Sequence, residues 1–139
     1  MTGLFKRNKL LQPSGIYVDE SPIHGCGVFA KETLDAGSVV EKAPLLLINQ
    51  VDKELLKNTV LYHYYFLLNN AEHPAAVGLG YSSLYNHSTP SNAIYSIDLA
   101  KKIIEIKTVK VIAAGEEITL NYNGQPGDMT PVAFSSLTV

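Results

Sequence analysis

Three stretches of the chain carry side chains whose types and spacing suit chemistry. The first is His24-Gly25-Cys26-Gly27-Val28-Phe29-Ala30. Its two glycines let the backbone come close to a ligand, because no Cβ stands in the way. A tight turn between strands would use the same pair. The second runs from Tyr81 to Asn92, with Asn86-His87-Ser88 at its centre. Asn, His and Ser form turns, but the density of groups that both donate and accept hydrogen bonds exceeds what a plain loop needs. The third is Gly115-Glu116-Glu117-Ile118-Thr119-Leu120-Asn121-Tyr122. Alternation across Ile118, Leu120 and Tyr122 suits a strand with one buried face. Taken alone, Tyr122 reads as a core aromatic with a satisfied hydroxyl.

Bringing such distant stretches together requires many short elements. Pro13-Ser14-Gly15 is a turn signal, followed by a short strand at Ile16 to Val18. A loop from Glu20 to Gly27 leads to a strand at Val28 to Ala30. Val39-Val40-Glu41 is extended, and Leu45 to Ile48 is an apolar run of strand length. Asp52 is placed to cap a helix from Lys53, with Leu55, Leu56, Thr59, Val60 and His63 on one side. The aromatic run Tyr62 to Phe66 fits a helix end or a strand, and Ala71 to Gly80 reads as a loop. Ala93 to Leu99 and Ile103 to Lys107 are strands around a turn at Ala100-Lys101-Lys102. Val109 to Ile112 and Ile118 to Asn121 are two more. The sum is a mainly β domain with one or two short helices.

Composition narrows the function classes. The 139 residues suit one domain, and 46% hydrophobic with 17% charged residues is a globular balance. A net charge of −2 argues against direct nucleic-acid binding. One cysteine, Cys26, permits no intrachain disulfide and no Cys-rich zinc site. No signal peptide or membrane-spanning run is read, so cytoplasmic residence is the expectation, with nuclear action on a host or chromatin substrate left open. A cysteine hydrolase built on Cys26 with His24 or His87 lacks a group to orient the histidine. A metal site from His24, Cys26 and His87 lacks a fourth ligand at usual spacing, so no metal is expected.

In their order and spacing, the three stretches resemble the signature of SET-domain protein-lysine methyltransferases: Gly25-Cys26-Gly27, then Asn86-His87-Ser88, then Gly115-Glu116-Glu117-Ile118-Thr119 with Tyr122. The resemblance spans roughly Ser14 to Gly124 and is nearest to compact SET proteins lacking a cysteine-rich zinc segment. It implies a β-clip fold of short curved sheets with a C-terminal pseudoknot. It divides the chain into a lead-in (1–13), the SET domain (14–124) and a tail (125–139). It also implies methyl transfer from S-adenosylmethionine (SAM) to the ε-amine of a lysine in a protein. The alternative is a SET-like module that binds SAM or a peptide without turnover.

By the same resemblance, Gly25, Cys26 and Gly27 receive the methionine part of SAM. Asn86 bonds its amino group, His87 holds the adenine edge through its backbone, and Tyr122 is the catalytic tyrosine. Tyr64, Tyr65, Tyr81 and Tyr85 line the lysine channel or serve the core, and Glu116 and Glu117 are structural. Leu120 stands where many members have Phe or Tyr, which bears on how many methyl groups fit. Without the zinc segment, the apolar tail with Phe134 either packs on the domain or supplies the missing channel wall, within one chain or across a homodimer.

Overall fold

A computed structural model describes residues 13–132. Nine strands and one short α-helix alternate along them: β1 (Ile16–Glu20), β2 (Cys26–Ala30), β3 (Val39–Ile48), α1 (Gln50–Leu56), β4 (Tyr65–Leu67), β5 (Ala75–Gly78), β6 (Asn86–His87), β7 (Ala93–Asp98), β8 (Ile103–Thr108) and β9 (Glu117–Leu120). A single 3-10 turn, Val60–His63, precedes β4. The strands form two sheets, ordered β1-β2-β9-β6 and β4-β5-β3-β8-β7. No helix among the described residues is long and apolar enough to cross a membrane.

The larger sheet is a conventional antiparallel scaffold. β3 pairs with β8 on one side and β5 on the other. The two extended stretches expected at Val39–Glu41 and Leu45–Ile48 are thus one ten-residue strand. Pro44 is tolerated inside it because it sits at the end of the β5 ladder, which starts at Leu45: Leu79 N–H still donates to the Pro44 carbonyl at 3.0 Å, and only the reciprocal terminal bond is missing. A β-bulge between Val39 and Glu41 breaks the in-out alternation, and Val40 and Glu41 are both buried. Ile104 and Ile106 of β8, Leu45 and Ala43 of β3, and Ile16, Val28, Ile112, Ile118 and Leu120 form one apolar core.

The smaller sheet makes the chain crossing. β6 and β9 pair in parallel, Asn86 with Thr119 and His87 with Leu120. β9 meanwhile pairs antiparallel with β2. Asn92 stitches the crossing: its Oδ1 accepts the Thr119 N–H at 2.8 Å, and its Nδ2 donates to the Glu117 carbonyl at 2.8 Å. This is the pseudoknot that the family resemblance implied.

Several local expectations are corrected. Helix α1 starts at Gln50, capped by Asn49, whose Oδ1 accepts the Asp52 N–H at 2.8 Å. Asp52 therefore lies in the first turn rather than at the cap. The helix ends at Leu56 and buries none of its residues. Ala75–Gly78, within the expected loop, is a strand between β4 and β3. Val109 to Ile112 is no strand: Ile112 makes only an isolated bridge to Leu34. Ile118, Thr119, Leu120 and Asn121 are all buried, because β9 lies between two strands and under the crossing segment. The alternating exposure expected there is absent.

Candidate active site

The three motifs meet at one partly buried cluster. The β1–β2 hairpin carries His24 to Gly27, β6 carries Asn86, and β9 begins with Glu117. Asn86 Nδ2 donates to the carbonyls of His24 (3.0 Å) and Cys26 (3.1 Å) and to Glu117 Oε1 (2.8 Å). Both Glu117 oxygens also accept from Ser21 Oγ at 2.9 Å. A Cβ at Gly27 would overlap the Glu117 carboxylate where it stands, so a larger residue would force the carboxylate to move. The second glycine of the first motif thus makes room for the third motif. Glu116 ties its own turn, accepting the Ala113 N–H at 2.9 Å.

Tyr122 stands where the crossing chain leaves β9. Its backbone N–H donates to His87 Nδ1 at 3.0 Å. That bond requires an unprotonated Nδ1, which puts the ring proton on Nε2, 3.2 Å from Thr89 Oγ1. Burial lowers the His87 pKa below its ordinary value and favours this neutral ring. With both ring nitrogens engaged, His87 is not placed to serve Cys26 as a base. Tyr122 OH donates to the Tyr85 carbonyl at 2.8 Å. Burial, with smaller contributions from Tyr64 and Glu117, pushes its phenol pKa up to about 12. The hydroxyl therefore keeps its proton at neutral pH, and that proton is directed at Tyr85.

Two cavities open on either side of Tyr122. One, of about 310 Å³, is lined by Cys26, Asn86 and His87 together with His24, Ile23 and Leu84. The other, of about 400 Å³, is lined by Tyr65, Phe66, Tyr85 and Tyr95, with Lys53 and Lys57 of α1. His63, Tyr64, Ser83, Tyr122 and Val132 line both. Two volumes that share five wall residues suit two reactants presented to each other from opposite sides.

Cys26, Asn86, His87 and Tyr122 are thus brought to the first cavity, and Tyr65 and Tyr85 to the second. Gly25 and Gly27 flank Cys26 without lining it. Tyr81 packs against the core. Leu120 is fully buried in the core and lines neither cavity. Phe134 lies outside the described residues. Tyr64, at the junction, holds the most central channel position of the aromatic run. His63, Ser83 and Tyr95 were not singled out for the site, and neither was Glu41, which approaches it through Tyr85. Among the described residues no group of side chains is arranged to hold a metal ion.

A family model for the SET domain matches residues 25–123. The chain belongs to the SET-domain family. It is similar to a Schizosaccharomyces pombe histone-lysine N-methyltransferase specific for H3 lysine-37, with 28% identity over 110 residues, 78% of this chain and 74% of that protein. Among solved structures it resembles a Plasmodium falciparum protein described as a candidate histone methyltransferase: TM-score 0.66, 27% identity, 81% of this chain and 95% of the other. It also resembles a chain of the Chaetomium thermophilum Polycomb Repressive Complex 2 bound to SAM: TM-score 0.65, 26% identity, 81% of this chain and 16% of the other. This SET protein is a SAM-dependent protein-lysine methyltransferase. The first cavity fits the donor chemically. Asn86 commits its Nδ2 to the hairpin, and among the described residues nothing donates to its Oδ1, which leaves an acceptor suited to an ammonium group. Its volume is in the range of small-molecule sites.

Proposed function

We propose that this SET protein methylates a histone lysine, with SAM in the cavity of Cys26, Asn86 and His87 and the lysine side chain in the aromatic cavity of Tyr65 and Tyr85. The observation that supports this reading is the placement of Tyr122 on the wall shared by both cavities. When bound, SAM would supply an electrophilic methyl carbon: the amine lone pair would form the new N–C bond in line as the C–S bond breaks and the sulfur leaves as a neutral thioether. The chain's own task is then alignment and desolvation.

Tyr122 does the aligning. Its one hydroxyl proton goes to the Tyr85 carbonyl, so the oxygen meets a lysine N–H only as an acceptor. A phenol with a pKa near 12 is not a base at neutral pH. The tyrosine thus orients an amine that has already lost its proton. A free lysine has a pKa of about 10.4. An aromatic, partly enclosed channel favours its neutral form. The backbone of Gly25, Cys26 and Gly27 and the Oδ1 of Asn86 hold the methionine end of SAM, and the backbone of His87 holds the adenine.

The histone assignment rests on the relatives, one of which acts on H3 lysine-37. It places the reaction on chromatin. The SET domain is taken as residues 14–124, with the tail from 125 closing the channel. Asn121 Nδ2 and Asn123 Nδ2 donate to the carbonyls of Asp128 and Thr130, both at 2.7 Å, and Pro131 and Val132 line the aromatic cavity. Phe134 or a second copy of the chain would complete that wall.

The test is incubation with labelled SAM and core histones, followed by mass spectrometry of the modified lysines. Wild-type protein labels a histone lysine, and Tyr122→Phe labels it about a hundredfold more slowly, the usual effect of losing one preorganised polar contact worth about 3 kcal/mol. SAM binding without methylation of any protein would favour the module without turnover. Near-normal turnover in Tyr122→Phe would remove Tyr122 from its role.

A further inference from the structure

A carboxylate lies fully buried in the core, and its hydrogen bonds lead to the reacting centre. Glu41 has no accessible surface, and among the described residues no lysine or arginine pairs with it. Burial raises its pKa, as expected for a carboxyl without a cation. Both oxygens nevertheless act as acceptors: Oε1 from Tyr85 OH at 2.8 Å and Oε2 from the Tyr81 N–H at 2.8 Å. Each of the two oxygens is therefore held in place by a donor from a different residue.

Several local features serve this placement. The β-bulge of β3 turns Glu41 inward beside Val40. Gly80, at φ +61°, lets the carboxylate approach, since a Cβ there would lie 2.6 Å from Oε2. An unpaired buried carboxylate costs stability, and an apolar residue at position 41 would avoid that cost. What Glu41 does have is a route to the active centre. Tyr85 is held at both ends, its hydroxyl by Glu41 and its carbonyl by Tyr122 OH, each at 2.8 Å. Tyr85 also lines the aromatic cavity.

We propose that Glu41 is a positioning residue for methyl transfer: by anchoring the Tyr85 hydroxyl it fixes the carbonyl that aims the Tyr122 hydroxyl. Glu41 itself touches neither cavity, so it acts on the rate and not on binding. The inference rests on the role given to Tyr122 under Proposed function.

Glu41→Gln is nearly isosteric but offers one acceptor oxygen where the carboxylate offers two, so one of the two donors loses its partner. The variant is measured in wild-type and Tyr122→Phe backgrounds, with kcat, peptide KM and SAM Kd for each. In the wild-type background kcat falls about tenfold while KM and Kd stay within about twofold. In the Tyr122→Phe background, where no hydroxyl remains to be aimed, the added loss is under about twofold. Equal losses in both backgrounds, no loss at all, or a change confined to KM or Kd would overturn the proposal. Should Glu41→Gln fail to fold, Tyr85→Phe removes only the hydroxyl and is read by the same four-way comparison. Near-normal turnover in Tyr122→Phe alone would instead remove the role on which the inference rests, and the inference with it.

Discussion

The crossing where β6 meets β9 and the segment from Asn49 to Leu67 border the same two cavities but are built differently. At the crossing, polar side chains bond across long stretches of sequence: Asn86 to Glu117, His87 to Tyr122, Asn92 to Thr119. Asn86, Asn92 and Thr119 are buried, and Glu117, His87 and Tyr122 are partly buried. In the second segment Asn49 bonds Asp52, Glu54 bonds Gln50 and Lys57, and Thr59 bonds Leu56, all within four residues. Neither α1 nor the turn after it buries a residue. Buried polar networks are costly when partly broken and specific when complete. Exposed local structure can change at little cost. Under the proposed function, the difference separates the half of the site assigned to the donor and the Tyr122 hydroxyl from the half assigned to the incoming protein.

Breaking the crossing should have the largest effect. Gly27→Ala drives a methyl group into the Glu117 carboxylate, which is itself held by Ser21 and Asn86. Backbone or network must shift, and overpacking of this kind costs about 1–3 kcal/mol. Chemical denaturation should register that loss, and calorimetry should show SAM binding weakened by at least about tenfold. Wild-type stability and affinity together would mean that the three motifs are not mechanically joined.

A milder perturbation is protonation of His87. Its pKa is lowered in the folded state from an ordinary 6.5. The unfolded chain therefore binds the proton more readily than the folded one. The contribution of this residue to stability is complete above pH 6.5 and declines as the pH falls through that value toward the lower folded pKa. Protonation also ends acceptance of the Tyr122 N–H by Nδ1. His87→Asn places an amide oxygen near the same position and does not titrate. Unfolding midpoints measured from pH 7.5 to 5 should fall less steeply for the variant than for the wild type. Identical slopes would assign the acid sensitivity to other groups.

The sequence was informative where side-chain types recur in an ordered motif. Asn86 and Tyr122 belong to motifs whose resemblance to the SET family implied a crossing, and the crossing is present. Legibility failed where tertiary geometry overrides local pattern. Glu41 looks like the polar end of a short strand, and only the bulge turns it inward. Pro44 splits one strand into two on paper, because its lack of an N–H matters only where a partner strand needs one. Ala75-Ala76 lacks β-branched residues, yet both are fully buried between β4 and β3, where small side chains fit. Leu120 follows the motif's spacing but packs into the core, since β9 has strands on both sides. Tyr64 and Tyr65 are adjacent in an aromatic run. Which of them reaches the junction is decided by the 3-10 turn ending at His63, a feature the local pattern does not specify.

The smallest effect is expected on α1, and it sharpens the contrast from the other side. Val51 and Leu55 are 70% and 68% exposed, although Leu55 belongs to the apolar side expected of this helix. A side chain that remains mostly in water contributes little burial energy, so truncating it removes little. Alanine is also the best helix former, which prevents a propensity loss from imitating a packing loss. The double variant Val51→Ala, Leu55→Ala should therefore stay within about 0.5 kcal/mol of wild-type stability. Its SAM affinity should be unchanged, because neither residue lines a cavity. Lys53 and Lys57 of the same helix do line the lysine cavity. Any kinetic change should thus be found in the KM for the protein substrate and not in kcat. Denaturant midpoints, SAM calorimetry and steady-state kinetics on the one variant separate these quantities. A stability loss comparable to that of Gly27→Ala would show that α1 is bound into the core after all, and the two halves of the site would then differ in sequence but not in mechanical role.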